Sequence, residues 1–349
     1  MTVAAVNLQR PVAADPVSFI TSRGAELAFT RLGFGAAPIG NMRTPLTDEA
    51  AIATVTAALD LGLAHVDVAP LYGHGLAERR VGMALSGREG VTLSTKVGRL
   101  LVPCAPGAQE SGIYTDVPNV GVAFDYGYDG VMRSYEASLT RLGRAIDILY
   151  VHDVDVPTHG SAAAADARIA ELIDGGGWRA LVELRAGGAV RAIGAGVNEV
   201  RACQRLLDLA DPDLFLLAGR YTLLDQVAEG DLLPRCLARG VGLILGGPFN
   251  SGILATGAIP GAWYDYAPAN EEIRERVRRI EAVCAAHGVP LAAAALAFPL
   301  RHRAVVSVIA GARTPIEVRR NMDLLDHAIP SALWSDLATA GLIHPEASC

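Results

Sequence analysis

Four side chains of chemically active types lie near the ends of predicted strands. Asp67 and Tyr72 lie at the end of one apolar run and in the loop just beyond it. Lys96 lies inside the next apolar run, and His152 ends the one after that. A tyrosine can exchange a proton with a carbonyl or alcohol oxygen, and a histidine can hydrogen-bond and orient that oxygen. The four types together therefore indicate proton transfer at such an oxygen while a cofactor moves a hydride.

The lysine is the least ordinary member of this group. An ammonium in an apolar strand is costly unless a carboxylate pairs with it, and Asp67 can supply that charge. We predict that the ammonium of Lys96 lowers the pKa of Tyr72 below its usual value of about 10. Taken singly, Asp67 is more typical of a turn or helix cap, Tyr72 of a rim aromatic and His152 of an ordinary strand end. Only the combination points to catalysis.

The elements that must position these residues alternate between short apolar runs and amphipathic stretches, which is typical of βαβ units in a parallel sheet. The predicted strands are 31–37, 64–69, 91–97, 147–153, 191–197, 213–219, 241–247 and 304–310. The predicted helices are 48–62, 76–86, 129–143, 162–187, 199–210, 227–239, 290–301 and 315–325. Eight units favour an α/β fold of the closed (β/α)8 type, a TIM barrel, over an open doubly wound sheet.

The domain organisation follows from this alternation. Residues 24–349 are predicted to form a single barrel with insertions near 98–128 and 248–289, the second of which contains an extra helix at about 270–287. Both insertions follow a strand and therefore lie on the face where barrel active sites form. Residues 1–23 are expected to be a loosely ordered leader without the layout of a secretory signal.

Composition excludes several classes of function. The 349-residue chain has a formal net charge of −7 and no Lys/Arg cluster of the kind that binds nucleic acid. No apolar run of about 18 residues appears, so we expect no membrane span. The five cysteines are widely spaced without a C-x-x-C pair. That pattern predicts reduced thiols in a cytoplasmic protein and no metal site.

The order of Asp67, Tyr72, Lys96 and His152 in these strand contexts resembles the aldo-keto reductase superfamily, over about residues 27–342. The resemblance implies a barrel of the aldo-keto reductase type and an NAD(P)-dependent oxidoreductase. It implies that Tyr72 is the general acid/base, that Lys96 and Asp67 tune it, and that His152 orients the substrate.

Three further segments, 125–130, 218–226 and 249–254, resemble the bacterial L-fucose/D-threo-aldose 1-dehydrogenases. Pyridoxal 4-dehydrogenases and L-galactose dehydrogenases are close to this branch, whose members oxidise an aldose at C1 to a lactone or oxidise a pyridoxal hemiacetal, usually with NAD. The implied function is aldose oxidation by a monomer or weak homodimer. The alternatives are an NADPH-dependent reductase of a bulkier ketone or aldehyde, including a pyridoxal-type substrate, and a nucleotide-binding regulatory subunit.

The cofactor segment lacks the usual dinucleotide fingerprint, because 33–38 ends in proline and 194–199 lacks the third glycine. Barrels can instead hold a cofactor across the ends of strands seven and eight, where glycine-rich loops and a helix start near Thr314 offer backbone amides. The contacts implied by the resemblance are Asn198, Tyr221, Asn250, Ser251, Gly252, Gly311, Ala312, Arg313, Glu317, Arg320 and Asn321.

Within this set, Asn198 would hold the nicotinamide amide and Tyr221 would stack on the ring. The chain departs from the broader family at Val197 and Ala218, where many members carry Ser and Gln, which predicts a different nicotinamide anchor. Glu317 can accept from a ribose 2′-hydroxyl and repels a 2′-phosphate, which favours NAD. The guanidinium of Arg313 could pair with that phosphate, so NADP stays an alternative.

Overall fold

The computed structural model of the chain describes residues 12–105, 107–110 and 112–345. The strands of these residues are β1 (Pro16–Ile20), β2 (Glu26–Thr30), β3 (Leu32–Gly35), β4 (His65–Asp67), β5 (Thr92–Val97), β6 (Arg99–Pro103), β7 (Val120–Phe124), β8 (Ile148–His152), β9 (Ala192–Val197), β10 (Leu214–Ala218), β11 (Gly242–Gly246), β12 (Trp263–Tyr264), β13 (Ala267–Pro268) and β14 (Val305–Gly311). The α-helices are α1 (Asp48–Asp60), α2 (Leu76–Ala84), α3 (Tyr128–Leu142), α4 (Val156–His159), α5 (Ala162–Asp174), α6 (Gly177–Ala186), α7 (Val200–Leu209), α8 (Leu232–Arg239), α9 (Ile253–Thr256), α10 (Glu271–Ala286), α11 (Leu291–Ala297), α12 (Pro315–Leu325) and α13 (Ser331–Thr339).

Eight strands close into a barrel, which confirms the predicted fold class. Their order around the barrel is β3, β4, β5, β8, β9, β10, β11 and β14, and β14 pairs back to β3. Every neighbouring pair is parallel. All eight lie where the apolar runs predicted strands. Since parallel strands here point the same way, their carboxyl ends meet at one face of the barrel.

Strand β8 shows why the barrel strands of this chain are continuous apolar runs: both of its faces are buried. Ile148 and Tyr150 pack into a cluster inside the barrel, whereas Leu149 and Val151 pack in the larger cluster that includes the helices. Because strand side chains alternate, the next inward position at the carboxyl end is His152. The barrel interior is thus apolar below this point and polar at its carboxyl end.

An antiparallel hairpin of β1 and β2 closes the opposite end of the barrel. Leu27 and Phe29 of this hairpin join the apolar cluster inside the barrel, and the Ser307 hydroxyl of β14 donates to the Thr30 carbonyl at 2.7 Å. The structure therefore corrects the expected leader of residues 1–23, since β1 lies within it and is ordered by strand pairing. Residues 1–11 lie outside the described residues.

The two predicted insertions contain ordered structure at the carboxyl face. Segment 98–128 forms the antiparallel hairpin β6–β7, and segment 248–289 contains α9, the two-residue strands β12 and β13, and helix α10. The helix predicted over 162–187 is two helices, because the chain breaks at Gly175 and at Gly176, which has φ of 80°. Among the described residues no single helix is long and apolar enough to cross a membrane; the bent pair Glu271–Ala286 and Leu291–Arg301 meets the criterion only jointly.

Candidate active site

Lys96 is buried within β5, and its charge is paired. Its Nζ lies 2.6 Å from Oδ2 of Asp67 and donates to the Val68 carbonyl at 2.9 Å. Gly196 of β9 leaves room for this side chain, since a Cβ there would lie 3.1 Å from Lys96 Cε. The carboxylate offsets the cost of burying the ammonium, as the sequence predicted.

Two residues that the sequence analysis did not single out hold Asp67 in place. The Ser94 hydroxyl donates to Asp67 Oδ1 at 2.7 Å, and Nε2 of His65 lies 3.2 Å from the same hydroxyl oxygen. Because serine has only one hydrogen to donate, His65 must donate here and carries its proton on Nε2. Burial lowers the pKa of His65 to about 3, so the ring is neutral. Both residues lie two positions from a catalytic candidate on the same strand face, which is the signal that could have found them.

Tyr72 lies over the carboxyl ends of β4 and β5. Lys96 Nζ is 4.8 Å from the centroid of its ring, and the ring of His152 lies edge-on at 6.0 Å between centroids. The loop that carries it packs tightly, because a Cβ on Gly73 would lie 2.4 Å from the Gly40 carbonyl oxygen. The fold thus brings Asp67, Tyr72, Lys96 and His152 together, as predicted.

The pKa of Tyr72 is opposite to the sequence prediction. Burial raises its pKa well above the ordinary value, and the charges of Asp67 and Asp153 raise it further. Lys96 does not lower it as expected, because its ammonium is 2.6 Å from the Asp67 carboxylate, which offsets its field. Tyr72 is therefore protonated at neutral pH.

His152 is a buried, neutral imidazole. Burial, reinforced by the charges of Arg99 and Lys96, lowers its pKa well below the ordinary value. Its Nε2 lies 3.2 Å from Oδ2 of Asp153, and Tyr126 donates from its hydroxyl to the His152 carbonyl at 2.8 Å. A neutral imidazole at this point can donate one hydrogen bond to a substrate oxygen without adding charge.

Asp153 is a further site residue that the sequence analysis passed over. Its Oδ2 forms an ion pair with Arg99 of the first insertion, and its Oδ1 accepts from Nδ2 of Asn198 at 2.9 Å. Burial raises the pKa of Asp153 to about 6, against the opposing effect of Arg99. The available signal was a carboxylate directly after the candidate histidine.

A cavity of about 470 Å³ lies between these residues and the first insertion. Its wall is aromatic and apolar where the insertion contributes Tyr114, Val122 and Phe124. Its remaining lining comprises Ala37, Met42, Leu71, Tyr72, Lys96, Arg99, Glu110, Gly112, Ile113, His152, Asp153, Gly196, Val197, Asn198, Leu216, Ala218 and Tyr266. The volume suits a single small molecule.

A narrow cleft continues from this cavity across the ends of β10 and β11. The two share Asn198, Ala218 and Tyr266, and the cleft is also lined by Gly219, Gly247, Asn250, Ser251 and Asp265. Gly219 and Gly247 have φ of 68° and 60°, a conformation that glycine adopts readily and that brings backbone close to a ligand. The side-chain amide of Asn198 donates to Asp153 and Asp155, which leaves Oδ1 to accept from a carboxamide. These donors and acceptors fit a nicotinamide dinucleotide laid across the strand ends.

Two predicted cofactor residues are placed differently. Tyr221 is buried with its ring 5.2 Å from that of Phe298 and is not among the residues that line the cavity. It is therefore not placed to stack on a ring held by Asn198. Asn250 accepts from the Thr222 hydroxyl at 2.6 Å, and its Nδ2 and backbone N–H donate to the carbonyls of Gly219 and Gly247, so only the second Nδ2 hydrogen remains for a pyrophosphate.

The aromatic residue found at the cleft is Tyr266. It lies at the tip of the hairpin β12–β13, lines both the cavity and the cleft, and its backbone N–H donates to the Ser251 hydroxyl at 2.9 Å. The neighbouring Asp265 forms two hydrogen bonds of 2.8 Å with Arg220, which fasten the hairpin to the end of β10. Its distance along the chain from the other candidates explains why the sequence did not indicate it.

The loop after β14 presents the start of α12 to the same face. Thr314 caps the helix by accepting from the Glu317 N–H at 3.2 Å. The Glu317 carboxylate accepts from the Arg313 N–H at 2.8 Å. The Arg313 guanidinium donates to the carbonyls of Met42 and Thr44, each at 3.1 Å.

The other predicted contacts at this end differ in accessibility. Gly311 and Arg320 are exposed, and the Asn321 side chain, half-buried, donates to the Gly311 carbonyl at 3.4 Å. Ala312 is buried, so it can offer only backbone groups. Gly252 has φ of 112°, which places it in the left-handed turn after Ser251.

Fold and site together define the class of protein: a (β/α)8 barrel with a cluster of Asp67, Lys96 and His152 around a tyrosine at its carboxyl face, beside a cleft at the ends of β10 and β11. The model of the Aldo/keto reductase family matches residues 31–340, and this chain belongs to that family. The enzyme is an NAD(P)-dependent oxidoreductase.

Two relatives are similar over almost their whole length. The chain is 44% identical over 329 residues to pyridoxal 4-dehydrogenase of Microbacterium luteolum, covering 91% of this chain and 95% of that protein. It is 39% identical over 328 residues to D-threo-aldose 1-dehydrogenase of a Pseudomonas species, covering 91% and 96%. Among solved structures, the holo form of an aldo-keto reductase from Bacillus halodurans superposes with a TM-score of 0.72 at 23% identity, covering 94% of this chain and 96% of that one, which shows the shared fold.

Proposed function

We propose that this enzyme oxidises the C1 hydroxyl of an aldose hemiacetal to the lactone with NAD as the oxidant. The main supporting observation is that Tyr72, Lys96 and His152 line one cavity, which also contains the ion pair of Arg99 and Asp153. The resemblance to the D-threo-aldose 1-dehydrogenase supports the substrate class. The buried charges at the cavity are paired, Lys96 with Asp67 and Arg99 with Asp153, which suits a neutral polyhydroxylated substrate.

Each residue has a distinct part in this proposal. His152 donates a hydrogen bond to the C1 oxygen and orients it, while the deprotonated form of Tyr72 takes the hydroxyl proton as the C1–H bond breaks. The bound NAD supplies the acceptor for the departing hydride. Lys96, held by Asp67, keeps its ammonium 4.8 Å from the centroid of the Tyr72 ring and so helps to fix the position of that ring.

NAD is the proposed cofactor in preference to NADP. The Arg313 guanidinium is committed to the carbonyls of Met42 and Thr44. The Glu317 carboxylate lies beside it at the start of α12. A carboxylate can accept from a ribose 2′-hydroxyl and repels a 2′-phosphate. We expect kcat/KM with NAD to exceed that with NADP by at least about tenfold, a difference of roughly 1.4 kcal/mol.

The alternative is a pyridoxal-type substrate or a bulkier carbonyl compound. The 44% identity to a pyridoxal 4-dehydrogenase and the aromatic wall of Tyr114 and Phe124 favour it. In the reductive direction the same residues work in reverse, and the protonated Tyr72 donates the proton.

A substrate panel separates these proposals. The purified enzyme is assayed at the reduced nicotinamide absorbance with L-fucose, other aldoses, pyridoxal and a set of ketones, each with both cofactors. We expect the highest kcat/KM for an aldose with NAD. A higher value for pyridoxal, or for a ketone with NADPH, would replace the aldose proposal by the alternative.

We also propose a cytoplasmic monomer or weak homodimer. Cys104, Cys203, Cys236 and Cys284 are free thiols, which supports a reducing compartment. Size-exclusion chromatography with light scattering over a range of concentrations tests the oligomeric state.

A further inference from the structure

The cavity contains a second polar feature beside the proton-transfer group, formed by Asp153 and Arg99. Asp153 is 7% exposed as a residue, and its Oδ2 lies 3.2 Å from His152 Nε2. That nitrogen faces the oxygen on the reacting carbon in the proposed reaction. In a sugar, the hydroxyl oxygen on the adjacent carbon lies about as far from the C1 oxygen as Asp153 Oδ2 lies from His152 Nε2. The carboxylate can therefore accept a hydrogen bond from that hydroxyl.

The backbone at Asp153 is in a conformation that residues other than glycine adopt infrequently. Asp153 has φ of 51°, a left-handed conformation that glycine would adopt without strain. Such conformations persist where the surroundings hold them and are concentrated at functional sites. Here the Asp153 N–H donates to the Gly196 carbonyl at 2.9 Å, which fixes the turn at the end of β8.

The carboxylate is also oriented by fixed partners on both sides. Asn198 donates to Oδ1 at 2.9 Å, and Arg99 pairs with Oδ2. Arg99 lines the same cavity, and its buried Nε has no hydrogen-bond partner among the described residues. Arg99 therefore balances the charge of the Asp153 carboxylate. The orientation of this short side chain is fixed by its two partners, so little conformational freedom is lost when it binds a ligand.

Resting on the proposed aldose oxidation, we propose that Asp153, held by Arg99 and Asn198, binds the C2 hydroxyl of the sugar and determines specificity for 2-hydroxylated substrates. The hydroxyl donates its hydrogen bond to the carboxylate while His152 contacts the C1 oxygen. A substrate without this hydroxyl forgoes a hydrogen bond to a charged acceptor, which lowers its kcat/KM.

The first test compares L-fucose with 2-deoxy-L-fucose in the unmodified enzyme with NAD. We expect kcat/KM for L-fucose to be higher by about 10- to 100-fold, the worth of a hydrogen bond to a charged group. Equal values for the two sugars overturn the proposal without any variant having to fold.

The second test uses Asp153→Asn, which keeps the size of the side chain and tolerates the left-handed backbone. The preference for L-fucose should shrink to about threefold or less, because the 2-deoxy sugar loses nothing that the variant removes. The matched control, Asp166→Asn, lies on α5 in an ion pair with Arg201 and should keep the full preference. Equal losses on both sugars would mean that Asp153 only positions His152 or Asn198, and would overturn the contact.

Failure of the aldose proposal is distinguishable from failure of this contact. If the unmodified enzyme turns over neither sugar, the same comparison is made for reduction of lactaldehyde and propanal, which differ only in the 2-hydroxyl. A preference for lactaldehyde that is lost in Asp153→Asn retains the contact and rejects the aldose substrate. No preference, or no turnover of either pair, overturns both.

Discussion

The two ends of the barrel use the same eight strands and are filled in opposite ways. At the end closed by the β1–β2 hairpin, Leu27 and Phe29 pack with Tyr150 and Leu214 in an apolar cluster. At the carboxyl end, buried ion pairs and hydrogen bonds surround an open cavity. Apolar burial stabilises folding directly, whereas a buried ion pair contributes little net stability. The comparison indicates that one end maintains the fold and the other performs the chemistry.

The largest effect expected at the carboxyl end comes from Tyr72→Phe. Removing the proton-transfer hydroxyl should lower kcat by about 10²- to 10⁴-fold, the usual contribution of general acid–base catalysis. The melting temperature and the NAD dissociation constant, measured by calorimetry and fluorescence titration, should change little.

The matched control for this substitution is Tyr135→Phe on α3, remote from the cavity. It should leave kcat unchanged. Near-normal turnover in Tyr72→Phe would reject the assignment of Tyr72 as the acid/base, and with it the contrast between the two ends.

The largest effect expected at the closed end comes from Phe29→Ala. Removing the Phe29 ring from the apolar cluster at the closed end should lower the free energy of unfolding by about 3 to 5 kcal/mol. Below the unfolding transition kcat and KM should remain close to those of the unmodified enzyme. Urea denaturation and steady-state kinetics measure the two effects.

Ile20→Ala in the same hairpin is the control, since Ile20 is 64% exposed and its truncation should cost well under about 1 kcal/mol. A loss of activity in folded Phe29→Ala would show that the closed end also shapes the site.

The pH dependence of kcat should depend only on titratable groups at the carboxyl end of the barrel. Since burial raises the pKa of Tyr72, its deprotonated form is scarce at neutral pH and grows about tenfold per pH unit. The kcat of oxidation should therefore rise as pH increases above neutrality, and that of reduction should not. A flat oxidation profile between pH 7 and 9 would contradict this assignment.

On the acid side of the pH profile, we expect a separate loss of activity as pH falls. With a pKa of about 6, Asp153 becomes protonated as pH falls below that value and loses its acceptor charge. The kcat/KM for L-fucose should fall there, and Asp153→Asn should remove this limb. His152 adds no limb near its ordinary pKa, because its own pKa lies well below that value.

The smallest effect is expected from Ser94→Ala, which lies between the two ends. It removes the 2.7 Å hydrogen bond to Asp67 and should lower the free energy of unfolding by about 1.5 to 3 kcal/mol. Because Asp67 then holds Lys96 less firmly, kcat should fall by only a few-fold. Thr140→Ala on α3 is the control for hydroxyl removal. Loss of stability with no change in kcat would place Ser94 with the closed end of the barrel.

Several features of the fold were predictable because they depend on local pattern. Apolar runs bounded by turn residues located all eight barrel strands, and their number favoured closure. The hairpin of β1 and β2 was missed, since its first strand is exposed at three of five positions and half-buried at the other two, and therefore has no buried apolar run. Whether such a segment orders depends on the opening that it covers, and that opening exists only in the folded barrel.

The sequence by itself determined which face of the barrel carries Asp67, Tyr72, Lys96 and His152, since they lie at or beside strand ends that any parallel barrel brings together. Only the tertiary structure decided how those groups behave. It set the protonation of Tyr72 through burial, placed Tyr221 in the core, and joined Asp153 to Arg99 and Asn198. Strand ends follow from local pattern, whereas burial and long-range pairing depend on residues far apart in the chain, and these decide charge and orientation.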